Sequence, residues 1–173
     1  MIEFGSKNEE VGRSAPFLIS TEEGEENEIK FVVALAAEGE KGTNIDDMGI
    51  PKLGALLKDS VPLYPSEKVV YEILFDEYLI HQTRNESLTR WDDYEIRQGK
   101  YFILFEKSRF LDYMDIVVER VIAKAYWKKG WKHYGIYCQN HIIDIISPSI
   151  PAIRKVHLTA DRVCKNVKGS AED

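Results

Sequence analysis

The sequence predicts a single α+β domain, mainly an antiparallel sheet built from hairpins, with one long amphipathic helix at about residues 108–128 and a short helix packed on one face. Three observations predict it. From Lys68 the pattern has period two, with Val69, Tyr71, Ile73 and Phe75 on one side of an extended segment, as a half-buried strand requires. Further strand-like runs follow in hairpin succession rather than alternating with helices, which argues against a parallel sheet. The third is a helical pattern: Ser108 as cap, then Phe110, Met114, Val117, Val121 and Ala125 at helical spacing, closed by Lys128, Lys129 and Gly130.

Taken in order, residues 1–28 read as a polar, acidic, loosely ordered segment in which only Pro16 to Ile19 is apolar enough to pack. The globular domain is expected over 29–160 and a polar tail over 161–173. Ile29 to Ala37 reads as a buried strand, and Gly39 to Gly49 as a loop. Pro51 to Lys58 reads as the short helix, with proline in the first turn where a missing N–H costs little. Pro62 and Pro65 end it. The run Tyr78 to Asn85 is expected to pair back on the strand ending at Phe75, with Asp76 and Glu77 as the turn and Glu72 opposite His81. Residues 91–94 read as a loop, Arg97 to Gly99 as a turn and Tyr101 to Phe105 as a strand. A last hairpin, Lys132 to Cys138 with His141 to Ile146, turns at Gln139 and Asn140 before Pro148 and Pro151 stop the sheet.

A chain of 173 residues with 44% hydrophobic and 30% charged residues has the composition of one folded domain. Its longest apolar run, Phe31 to Ala37, is far below the roughly 18 residues of a membrane span. With two cysteines and no signal-like start, a cytoplasmic home and no membrane partner are expected. The net charge of −6 is unevenly spread: residues 1–106 carry 11 Lys and Arg against 22 Asp and Glu, and residues 107–173 carry 12 against 7. An acidic front of this kind disfavours broad nucleic-acid binding and suits a basic protein partner.

No recognised catalytic or ligand motif stands in the chain. Cys138 and His141 flank a two-residue turn, the proximity a thiolate and its base need, but their face is shared with Tyr134, Ile136, Ile143 and Ile145, which reads as core and makes the thiol inert. Asp144 has the opposite parity and cannot orient His141. Glu72 and His81 form a candidate acid-base pair, an arrangement that is more often an exposed ion pair. For a metal, His133 falls across from Ile146 and about 16 Å along the hairpin from His141, so no metal site and no cofactor are expected. Polar groups concentrate instead from His81 to Ser87 and run into a loop with a tryptophan. Arg84, Asn85, Glu86, Trp91, Asp92 and Asp93 are therefore the expected partner-binding residues.

The sequence thus points to a non-enzymatic, bacterial-type cytoplasmic binding protein, such as an acidic inhibitor or immunity protein for a basic, nuclease-like partner. A small enzyme or ligand-binding domain for a nucleotide-like molecule, and a structural or phage-type accessory protein, are the alternatives. No catalytic residue is assigned.

Overall fold

The computed structural model describes residues 2–7, 11–39 and 60–157. Among these the chain forms β1 (Phe17–Glu23), β2 (Ile29–Glu38), β3 (Leu63–Phe75), β4 (Ile80–Arg84), β5 (Ile96–Gln98), β6 (Phe102–Lys107), α1 (Arg109–Val117), α2 (Arg120–Tyr126), β7 (Lys132–Tyr137), β8 (Ile142–Ser147) and β9 (Ala152–Val156). The strands make two antiparallel sheets, in the orders β1-β2-β3-β9 and β4-β8-β7-β6-β5. Alternation along each strand builds the main core between them. Ile29, Phe31, Val33, Ile73 and Phe75 from the first sheet meet Phe102, Tyr134, Ile136, Ile143 and Ile145 from the second, all buried.

The single sheet with a long helix is therefore replaced, among the described residues, by two sheets and two short helices. The expected helix over 108–128 breaks at Val118 and Glu119, both with extended backbone. Its apolar residues there, Ile116, Val117, Val118, Val121 and Ile122, are β-branched and lose side-chain freedom in a helix, so the apolar spacing overstated helix propensity. Phe110 and Met114 are buried as expected, whereas Val117 and Val121 are exposed. Val118 returns to pack against the cluster of Phe110, Met114 and Ile146, and the Glu119 carboxylate accepts from the Val121 N–H to start α2. The expected helix over 51–58, most of the loop over 39–49 and the tail over 161–173 lie outside the described residues.

The expected hairpin of β3 with β4 is also corrected. β3 pairs with β2 and β9, and β4 pairs with β8 in the other sheet. Asp76 to Leu79 carries the chain across the sandwich, with the Tyr78 N–H bound to Asn27 O and the Leu79 N–H to Ile146 O. Pro148 and Pro151 do not end the sheet structure: they turn the chain back to the first sheet, where β9 pairs with β3. Ser147 clasps the two crossings, donating its hydroxyl to Glu77 O at 2.6 Å. Pro65 lies within β3, opposite Ala36 and beyond a bulge of β3 that sets residues 66–69 against Leu35, on a stretch that β9 does not reach.

The last hairpin forms in the expected register, with Tyr134 opposite Ile145, Ile136 opposite Ile143 and His133 opposite Ile146. Near the N-terminus, Ile2 and Val11 are buried and Phe4 packs edge-on to Phe102 and Tyr134, so parts of the segment read as loose contribute to the core. Gly99 holds φ +100 in the β5–β6 turn, where a Cβ would stand 2.3 Å from Phe102 O.

Candidate functional site

Residues that alternate with the core residues line the outer face of the second sheet. β4 presents Gln82 and Arg84, β8 presents Asp144, and β7 presents His133, Gly135 and Tyr137. Gln82, Asp144 and Gly135 form one cross-strand row. A Cβ at Gly135 would lie 3.0 Å from the Phe105 ring and 3.1 Å from the Tyr137 ring, so the glycine lets both rings close over the strand. His133 stacks on Phe105 with ring centres 4.0 Å apart, and Phe110 of α1 meets it edge-on.

A continuous hydrogen-bonded chain runs through these residues. Ser108 Oγ is 2.7 Å from His133 Nδ1, and His133 Nε2 is 3.1 Å from Asp144 Oδ1. The other carboxylate oxygen accepts from Gln82 Nε2 at 3.0 Å and from Arg84 through Nε at 3.0 Å and a terminal nitrogen at 2.8 Å. Burial alone would raise the Asp144 carboxyl, but the hydrogen bond and charge of His133, the Arg84 charge and the Gln82 hydrogen bond together hold it below its ordinary value. With the carboxylate on Nε2, that nitrogen carries a proton and donates to Asp144, and Ser108 Oγ and Nδ1 share the other hydrogen bond of the ring. The serine oxygen in turn accepts from the Leu111 N–H at 3.1 Å, capping α1.

The connectivity is that of nucleophile, base and orienting carboxylate. Access is not. Ser108 has no exposed surface and its oxygen is committed to the helix cap, so no substrate carbonyl reaches it. The chain instead fixes Arg84, whose side chain remains 39% exposed at the edge of a cavity of about 320 Å³. Arg84, Arg109, Glu95 and Tyr113 line the cavity, and His133 and Asp144 reach its wall.

The β4–β5 loop stands beside this cavity. Trp91, 62% exposed, is held by Arg97, whose guanidinium carbon lies 3.9 Å from its ring centre, and by Tyr137, with ring centres 6.0 Å apart. Asp92 accepts from the Tyr94 N–H at 2.9 Å and from Arg109 at 3.0 Å, and these two bonds hold its carboxyl low. Asn85 accepts from the Ser87 N–H to cap the short turn Glu86–Leu88. The Ser87 hydroxyl donates to Glu86 at 2.6 Å and is the main cause of its lowered pKa. Asp93 is exposed. The structure thus brings Arg84, Trp91 and Asp92 to one face, while Asn85 and Glu86 serve the local turn.

The other candidate pairs fare differently. Glu72 and His81 lie in different sheets: Glu72 accepts from its cross-strand partner Arg154 at 2.7 and 2.5 Å, whereas His81 is 3.7 Å from Glu23. Cys138 and His141 flank the turn, joined by the Cys138 N–H to His141 O at 2.8 Å. Burial in the core pushes the Cys138 thiol up to about 12, which leaves no thiolate near neutral pH.

Sequence reasoning missed Ser108, His133 and Asp144 as a group. The signal was present: His133 opposite Ile146 puts Asp144 diagonally across the same hairpin face, the one facing away from the core. Among the described residues no cluster of three or more His, Cys, Asp or Glu could hold a metal ion, and no helix is long and apolar enough to cross a membrane. No protein-family profile, curated protein or solved structure matches the chain.

Proposed function

We propose that this is a non-enzymatic binding protein that engages a basic protein partner through the β4–β5 loop. The observation that carries the reading is Trp91, an exposed aromatic held between Arg97 and Tyr137 next to Asp92, whose carboxyl is held low. Interfaces concentrate their energy in such pre-positioned Trp and Arg anchors. Residues 85–95 carry Glu86, Asp92, Asp93 and Glu95 against Arg90 alone, a balance that selects a cationic partner. Leu88, 83% exposed on the same loop, adds apolar contact area. An inhibitor or immunity role is one member of this class.

The test is affinity capture at low and high salt with wild type, Trp91→Ala and Asp93→Lys as baits. A basic protein held by wild type should be released by salt, and Trp91→Ala should weaken it by about 2 kcal/mol, roughly thirtyfold. Equal retention by all three baits, with melting temperatures unchanged, overturns the proposal.

A second reading rests on the cavity of about 320 Å³, whose Arg84 and Arg109 guanidiniums suit a small anionic ligand. Under that reading Arg109→Ala abolishes ligand-induced stabilisation and Trp91→Ala does not.

A further inference from the structure

We propose that the corner between α1 and α2 is an interfacial element that docks the protein on an anionic lipid surface. Val118 turns back to the sheet between the two helices, and the β-branched residues on either side are left pointing outward. Ile116 is 81% exposed, Val121 77%, Ile122 58% and Val117 47%, and Tyr126 follows at 77%. Five large apolar side chains exposed within eleven residues of a chain this charged have no counterpart elsewhere among the described residues.

Around this apolar corner the charge reverses. Residues 116–132 carry Arg120, Lys124, Lys128, Lys129 and Lys132 against Glu119 alone, in a chain of net charge −6. Arg120 pairs with Asp115 at 2.9 Å, while the four lysines have no ion-pair partner among the described residues. On α2 the helical spacing puts Val121, Ile122 and Tyr126 on the outward arc, Ala123 on the buried arc, and Arg120 and Lys124 on the arc between. Arg120, Lys124, Lys128 and Lys129 also line a cavity of about 490 Å³ with Trp127 and Trp131 in its wall; Asp112 and the Arg120-paired Asp115 share the lining, which the cations outnumber, leaving room for a phosphate-bearing headgroup. Aliphatic insertion, flanking lysines and tryptophans at the boundary are the parts of an in-plane membrane contact.

Charge and chemistry select this occupant over others. Nucleic acid would use the lysines and aromatics but leave Ile116, Val121 and Ile122 in water, because aliphatic side chains neither stack on bases nor pair with phosphates. A second copy joined face to face would set the same five cations against each other. The shortness of the apolar runs, which excludes a spanning helix, does not bear on a surface contact.

The test is co-sedimentation of the full chain with vesicles of phosphatidylcholine alone or with one third phosphatidylglycerol, at low and high salt. Wild type should pellet with the anionic vesicles only, less so at high salt. The triple substitutions Ile116→Ser, Val121→Ser, Ile122→Ser and Lys124→Glu, Lys128→Glu, Lys129→Glu should each weaken partition, the second by roughly a hundredfold. Both sets change exposed side chains, so unaltered melting curves establish that folding is intact. No pelleting, equal pelleting with neutral vesicles, or wild-type partition by either variant overturns the proposal. So does self-association without lipid that the serine variant abolishes, which would make a second copy the occupant.

Discussion

Asp144 and Glu72 are both buried carboxylates on interior strands, each on the face of its sheet that looks away from the shared core, yet they are satisfied in different ways. Glu72 is answered by Arg154 directly across the strand and by Lys30 at 4.0 Å, and the Arg154 side chain is itself 73% exposed. Asp144 is answered by Gln82, Arg84 and His133 from two neighbouring strands, and through His133 by the serine that starts α1. The first arrangement can dissolve into water one ion at a time; the second joins four elements and leaves a buried imidazole stranded if it is cut. The same degree of burial therefore carries different structural weight.

The largest effect that would test this contrast is Asp144→Ala. Removing one partner of a buried pair leaves His133 N–H without an acceptor and should cost about 3 kcal/mol or more in denaturant unfolding. A cost no larger than that of the Glu72 variant would break the comparison. Ser108→Ala comes next, at about 1–2 kcal/mol, since it removes both the cap on Leu111 and the hydrogen bond to His133. Glu72→Ala should stay within about 1 kcal/mol, because Arg154 and Lys30 already reach solvent.

Acid sharpens the contrast. The folded pKa of Asp144 lies below its ordinary value, so its contribution is fully present above the unfolded pKa and is lost as pH falls through the folded one. The stability gap between wild type and Asp144→Asn should therefore hold at neutral pH and narrow in acid. A gap independent of pH would remove the ionised carboxylate from the account.

How much of this was legible in the sequence differs by element. The β7–β8 hairpin was, register included, because the two-residue turn at Gln139 and Asn140 fixes the pairing and brings Tyr134, Ile136, Ile143 and Ile145 to one face. The β3–β4 pairing was not: Asp76 and Glu77 sit where a hairpin turn would, and local spacing cannot tell a turn from a crossing between sheets. The long helix failed where spacing and propensity disagree, and Val117, expected in the core, is 47% exposed. Val117→Asp should accordingly change stability by no more than about 0.5 kcal/mol, the smallest effect anticipated here, and a loss of several kcal/mol would restore the unbroken helix. At the site, Arg84, Trp91 and Asp92 could be singled out from polar density, whereas Ser108 entered the reading only as a helix cap because its partner His133 lies 25 residues away.

The turn at Asn140 has a consequence for solubility. Its side-chain amide accepts from the Leu18 N–H and donates to the Leu18 carbonyl, both at 3.0 Å, on the side of β1 that no strand covers among the described residues. One side chain thus occupies the backbone groups that an incoming strand would need to start a new ladder. The outer edge of the first sheet is stoppered by the second, and a chain that loses Asn140 would keep its core while offering other copies a place to polymerise.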